Sequence, residues 1–180
     1  MTSGSSSEKI DLKKVIFKPL NPAMDRAAFC CGEPELDDFF HDDAGNHHER
    51  YLARVTVALY EERLIGYYWL VAQSHTSGRL SPEAEGKLER IEFAPCIYLG
   101  MIGVIEGLHG NGVGKALMLH AFAKTLQVAE HIGVYALTLE AINEEKAATY
   151  QRWGFAPFVE GELLMFIPVA TIRKALFPSK

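Results

Sequence analysis

The sequence predicts a mixed α/β fold, one sheet covered by helices. Three observations carry that expectation. The patterned segments run strand, helix, several strands, helix, strand, helix, strands. Strict strand–helix alternation is absent, which argues against a doubly wound nucleotide fold. The chain has 180 residues, 48% apolar and 23% charged, enough for one packed domain and unlike a disordered or fibrous composition.

Each element has a local reason. Residues 1–9, opening MTSGSSSEK, read as a flexible tail, and 10–180 as a single domain. Asp11–Lys18 reads as a first short strand. Pro34 suits the first turn of a helix, and the acids near it suit that helix's positive end. Leu36, Phe39, Phe40 and Ala44 then give it an apolar face. Residues 51–60 alternate, with Tyr51, Ala53, Val55, Val57 and Leu59 on one side. Residues 63–72 form a second strand, reached through a short hairpin. Residues 77–89 carry Gly78, Pro82 and Gly86 and read as a loop or short helix.

Ile97–Ile105 is the most continuously apolar strand and the candidate for the sheet centre. A long helix follows to about His131, with Leu119, Phe122, Leu126 and Ala129 as its apolar face. Residues 135–141 alternate again. A helix from Asn143 to Trp153 closes on Gly154 at C′. Residues 155–159 and 163–167 pair through Glu160-Gly161, and 169–176 read as a last helix.

Charge and cysteine usage exclude several classes. Eighteen Lys and Arg against 23 Asp and Glu give a net charge of −5, which argues against broad attraction to nucleic acid or anionic lipid. Six acids between Glu33 and Asp43 read as a solvated helix face. Three cysteines make no disulfide framework, and the start lacks a secretory apolar region, so a reducing cytoplasm is expected. The longest apolar stretch, residues 96–105, is about half of what a membrane helix needs. His41, Asp42, His47, His48 and Glu49 lack metal-ligand spacing and read as a polar helix end; no metal is expected. Cys96 reads as a small packed hydrophobe. Trp69, Tyr67 and Tyr68 are read equally as core and as lining for an acceptor pocket.

His109-Gly110-Asn111-Gly112-Val113-Gly114-Lys115 joins the buried strand to the long helix. Glycines there let the backbone approach a ligand, and helix-start N–H groups favour a phosphate. A Walker loop fails because His109 stands where its first glycine belongs and Ala116 where Ser or Thr would hold magnesium. A dinucleotide fingerprint starting at Gly112 puts Leu117 in its third glycine slot, and one starting at Gly110 fails as well. Gly112 and Gly114, with His109 in the first slot, resemble the (Gln/Arg)-x-x-Gly-x-(Gly/Ala) loop of the GNAT acetyltransferases.

Asn143 and Tyr150 are seven residues apart on one helix face, before Trp153-Gly154-Phe155. This is similar to the GNAT segment in which Asn opens the helix, Tyr faces the thioester sulfur and Gly-Phe closes the turn. Phe29–Phe39 resembles the Cys-Gly-x-x-x-Leu-Asp-x-(Phe/Trp) opening of the branch that includes toxins of toxin–antitoxin pairs. Residues 65–68 and the ending from Met165 resemble that branch too.

The resemblance implies a central, mostly antiparallel twisted sheet with a splayed parallel pair and flanking helices. It implies an acetyl-CoA-dependent N-acetyltransferase acting on a primary amine, with the α-amine of aminoacyl-tRNA as the toxin-like acceptor. The coenzyme would contact Ile102, Gly103, Val104, the turn from His109 to Lys115, Asn143 and Tyr150. Tyr150 would serve as the acid for the departing thiolate, and the Val104 N–H would stabilise the carbonyl oxygen. Glu106 and Glu140 stand near strand ends, and neither is assigned as base. An antitoxin and a second copy of the chain are the partners implied.

This sequence departs from the pattern at His109 and at Met101, where the branch has Arg. A cationic face for tRNA would have to gather Arg26, Arg50, Arg54, Arg79, Lys87 and Arg90 on an acidic protein. A small-molecule or protein amine is the alternative acceptor. A coenzyme A-binding sensor without turnover is the alternative of another class.

Overall fold

The computed structural model describes residues 9–76 and 92–178. Its strands are β1 (Ile16–Pro19), β2 (Arg54–Tyr60), β3 (Arg63–Thr76), β4 (Phe93–Val104), β5 (Ala136–Glu140), β6 (Ala156–Pro157) and β7 (Leu164–Pro168). They lie in the order β1-β2-β3-β4-β5-β7-β6, which puts β4 at the centre, as its apolar run requires. β1–β2, β5–β7 and β6–β7 are antiparallel, and β4–β5 is the expected parallel pair. That pairing runs from Cys96↔Ala136 to Leu99↔Leu139, while β4 continues to Val104. The helices are α1 (Pro34–Asp38), α2 (Ala44–Glu49), α3 (Val113–Ala129), α4 (Glu144–Arg152) and α5 (Val169–Leu176). Among the described residues no helix is long and apolar enough to cross a membrane. The tail and residues 77–89 fall outside or almost outside the described residues.

The chain forms two compact units, Met1–Trp69 with Met101–Ala121, and Leu70–Gly100 with Phe122–Lys180. In the first, Leu20, Phe29, Cys31, Phe40, Val55, Val57 and Tyr67 form the core. Phe40 stacks on Tyr67 at 4.1 Å between ring centres, and Phe29 meets both edge-on. In the second, Ala94, Cys96, Ala136, Phe158 and Phe166 pack together. Cys96 is buried there, and burial pushes its thiol up to about 11, so it is the packed hydrophobe expected.

Several expected elements change shape. The acidic helix begins at Pro34, but Phe39–Asp43 is a π turn, and the Ala44 amide bonds Phe39 O. Arg26 lies beside that turn, its Nε donating to Phe40 O at 2.8 Å and Nη2 to His41 O at 3.2 Å. A side chain placed among helix carbonyls is a recognised cause of such a bulge. β1 starts later than expected, because Leu12–Lys14 is a 3₁₀ turn capped by Asp11.

β2 also starts later, at Arg54. The amides of Leu52 and Ala53 both bond His47 O, and Tyr51 adopts φ 59° and is 80% exposed, so it is not on the buried face. On α3 the buried face is Val113, Leu117, Met118, Ala121, Phe122, Thr125 and Leu126. Leu119 lies off it, 41% exposed. His48 is not part of a polar helix end: it is buried, its Nδ1 accepts from the Val55 N–H at 3.0 Å, and burial lowers its pKa. No metal-binding cluster occurs among the described residues.

Candidate functional site

The glycine-rich turn belongs to the first unit. β4 ends at Val104, Glu106–Leu108 is a 3₁₀ turn, and α3 starts at Val113. Gly110 and Gly112 have φ of +79° and +82°, backbone that other residues rarely adopt, so these two glycines are required by the turn itself. The first intrahelical bond runs from the Ala116 N–H to Gly112 O. The Val113, Gly114 and Lys115 amides therefore lie outside the helical ladder, at its positive end. The first turn holds no acid, and Lys115 opposes the helix dipole. That arrangement fits an anion.

Not every amide of the turn is available. His109 N–H donates to Glu106 O and Asn111 N–H to Leu108 O, so the cradle narrows to the helix start. The His109 imidazole bonds Val104 O at 2.7 Å, and since a carbonyl only accepts, Nε2 carries the proton. Val104 also adjoins the helix start: a methyl group on Gly114 would meet its Cγ2 at 3.8 Å. Gly103 is buried, and a Cβ there would stand 2.9 Å from the Tyr67 ring. Ile102 precedes it on the same strand. Leu12 approaches from the N-terminal 3₁₀ turn, 3.1 Å from where a Cβ on Gly112 would lie. No local pattern in the sequence announces that contact.

Asn143 and Tyr150 belong to the second unit. Asn143 is the N-cap of α4, its Oδ1 accepting from the Lys146 N–H at 2.9 Å. That oxygen is therefore committed to the helix start. Asn143→Ala is expected to lower unfolding free energy by about 1 kcal/mol, measured by urea denaturation; an unchanged midpoint would show that the cap adds nothing to stability. Tyr150 is half-buried, with the rings of Trp153 and Phe155 edge-on at 5.9 Å. Burial raises its pKa, so the phenol keeps its proton through the neutral range. Gly154, φ +97°, closes the helix at C′ as expected.

The other candidates sort plainly. Tyr67 donates to Leu36 O at 2.7 Å, and Tyr68 bonds His120 Nδ1 at 2.8 Å, with burial pushing its phenol up to about 12. Both are core residues, while Trp69 packs half-buried against that core. Glu106 and Glu140 are exposed. Asp37 accepts from the Cys31 N–H at 2.8 Å; burial alone would raise its carboxyl, but its hydrogen bonds outweigh that and lower it.

The model of the acetyltransferase (GNAT) family matches residues 20–155. The chain belongs to this family. Two relatives and one solved structure place it among the GNAT proteins. It is 31% identical over 173 residues to "Probable toxin TacT" of Sinorhizobium fredii, covering 91% of this chain and 96% of the relative. It is 29% identical to the "tRNA-acetylating toxin" of Mycobacterium tuberculosis, covering 76% and 81%. AtaT complexed with acetyl-methionyl-tRNAfMet superposes with TM-score 0.83 at 26% identity, covering 90% of this chain and 99% of that one. This GNAT protein is an N-acetyltransferase, and acetyl-CoA is its donor. A sensor without turnover is not favoured.

Proposed function

We propose that the protein transfers the acetyl group of acetyl-CoA to the α-amine of aminoacyl-tRNA. The likeness to AtaT over nearly the whole chain carries the reading, because AtaT was solved with an acetylated aminoacyl-tRNA. Acetyl-CoA supplies an acetyl thioester. The amides of Val113, Gly114 and Lys115, in a turn shaped by Gly110 and Gly112, hold its diphosphate. His109 and Asn111 stiffen that turn. Ile102, Gly103 and Val104 offer backbone groups to the pantetheine arm, and the Val104 N–H donates to the carbonyl oxygen as charge develops there. Tyr150 holds a proton for the departing thiolate. Asn143 fixes the start of the helix that carries it.

Residues 10–180 act as one domain in this reading, supported by the match of a single family model to residues 20–155. A net charge of −5 disfavours binding along a tRNA body, so recognition is of the aminoacylated end. Arg26 donates to carbonyls of Pro22, Met24, Phe40 and His41 and is no part of a cationic face. Arg79, Lys87 and Arg90 lie outside the described residues. An antitoxin, a homodimer and a cytoplasmic setting complete the proposal; the relatives' toxin names support the first.

Thiol release by purified protein tests it. Charged tRNA should give coenzyme A and N-acetyl-aminoacyl-tRNA, seen by mass spectrometry, and deacylated tRNA should give neither. Release with polyamines or protein amines, and none with charged tRNA, would overturn the acceptor.

A further inference from the structure

We infer that Lys13 and Lys14 supply positive charge to the coenzyme's diphosphate, through a 3₁₀ turn that the fold lays against the glycine-rich turn. The inference rests on the reading that this turn holds the diphosphate. The first slot of the turn holds His109, whose Nε2–H is committed to Val104 O. Two negative charges then face backbone amides and Lys115. The missing cations come from elsewhere in the chain.

Leu12 Cδ1 stands 3.1 Å from the Cβ position of Gly112, the residue just before α3. Lys13 and Lys14 are the next two residues, and both side chains are exposed. Their backbone is fixed: Asp11 Oδ1 accepts from the Lys13 N–H at 3.0 Å, and Asp11 O from the Lys14 N–H at 2.9 Å. β1 follows at once, with Ile16 paired to Leu59. The turn is therefore tied to the sheet on one side and to Gly112 on the other. The two residues that follow this contact each carry an ammonium group on a flexible four-carbon stem, the kind of mobile point charge that suits phosphate oxygens.

Calorimetric titration of the full chain with coenzyme A and with dephospho-coenzyme A tests this. The double variant Lys13→Gln, Lys14→Gln should bind both ligands about fivefold more weakly at low salt, the scale of two exposed charge contacts. The difference from wild type should shrink in ~1 M salt, where the screening length is about 3 Å. Lys13→Arg with Lys14→Arg should restore affinity, which a purely structural role of the turn does not require. Equal affinities at low salt, or a loss confined to coenzyme A that spares dephospho-coenzyme A, overturns the inference. Gly112→Val separates the two layers: if it too binds normally, the diphosphate reading itself fails, whereas weak binding by Gly112→Val beside normal binding by the lysine variant removes the lysines alone.

Discussion

Tyr150→Phe lowers kcat about 100-fold or more, the range for loss of a positioned general acid, while coenzyme A affinity stays within about twofold. The phenol ring packs against Trp153 and Phe155, and phenylalanine keeps that packing while removing only the hydroxyl. Steady-state thiol release together with calorimetric binding separates the two effects. A wild-type rate for the variant would end the acid role. The pH dependence has a definite sign. Burial raises the Tyr150 pKa above its ordinary value of 10.0, so the protonated acid persists as pH rises toward that value. The wild-type rate should show no alkaline loss from this residue below about pH 10, and any fall seen lower belongs to another group.

Gly112→Val weakens coenzyme A binding tenfold or more. The backbone at this position has φ +82°, and a β-branched residue held there costs about 1–3 kcal/mol, before the contact with Leu12 is counted. At ~1.4 kcal/mol per tenfold, relaxation of the turn to an ordinary φ moves the helix-start amides and removes that affinity. Gly107→Ala is the control, because nothing lies within 4 Å of its Cβ position and its φ is not in the left-handed range. Equal binding by both variants would show that turn geometry does not govern the coenzyme.

Local chemistry made much of this legible. The Asn143 cap, the closing Gly154, the turn at Gly161 and the last helix from Val169 each depend on neighbours in sequence, and each lies where its residues put it. The glycine-rich turn was readable for the same reason: its positive φ values are a property of the glycines. What was hidden depends on distant partners. Arg26 bulges a helix that begins eight residues later, and His48 is buried because the Val55 amide needs an acceptor. Leu119 fits the helical spacing, yet the buried stripe passes through Leu117 and Met118 beside it. A period marks a stripe without saying which edge faces the sheet. The contact of Leu12 with Gly112 joins residues a hundred positions apart, and no spacing rule reaches it.

The connection from β4 to α3 is closed on itself by a run of hydrogen bonds, among them His109 Nε2–H to Val104 O, Leu108 N–H to Ile105 O, His109 N–H to Glu106 O and Asn111 N–H to Leu108 O. A loop stitched in this way enters the encounter already shaped. Little ordering entropy is then lost when the nucleotide end arrives, so more of the gross interaction survives as net affinity. Ligation should accordingly show up as a rise in melting temperature that tracks coenzyme concentration, with hydrogen exchange in this connection slow even before the coenzyme is added.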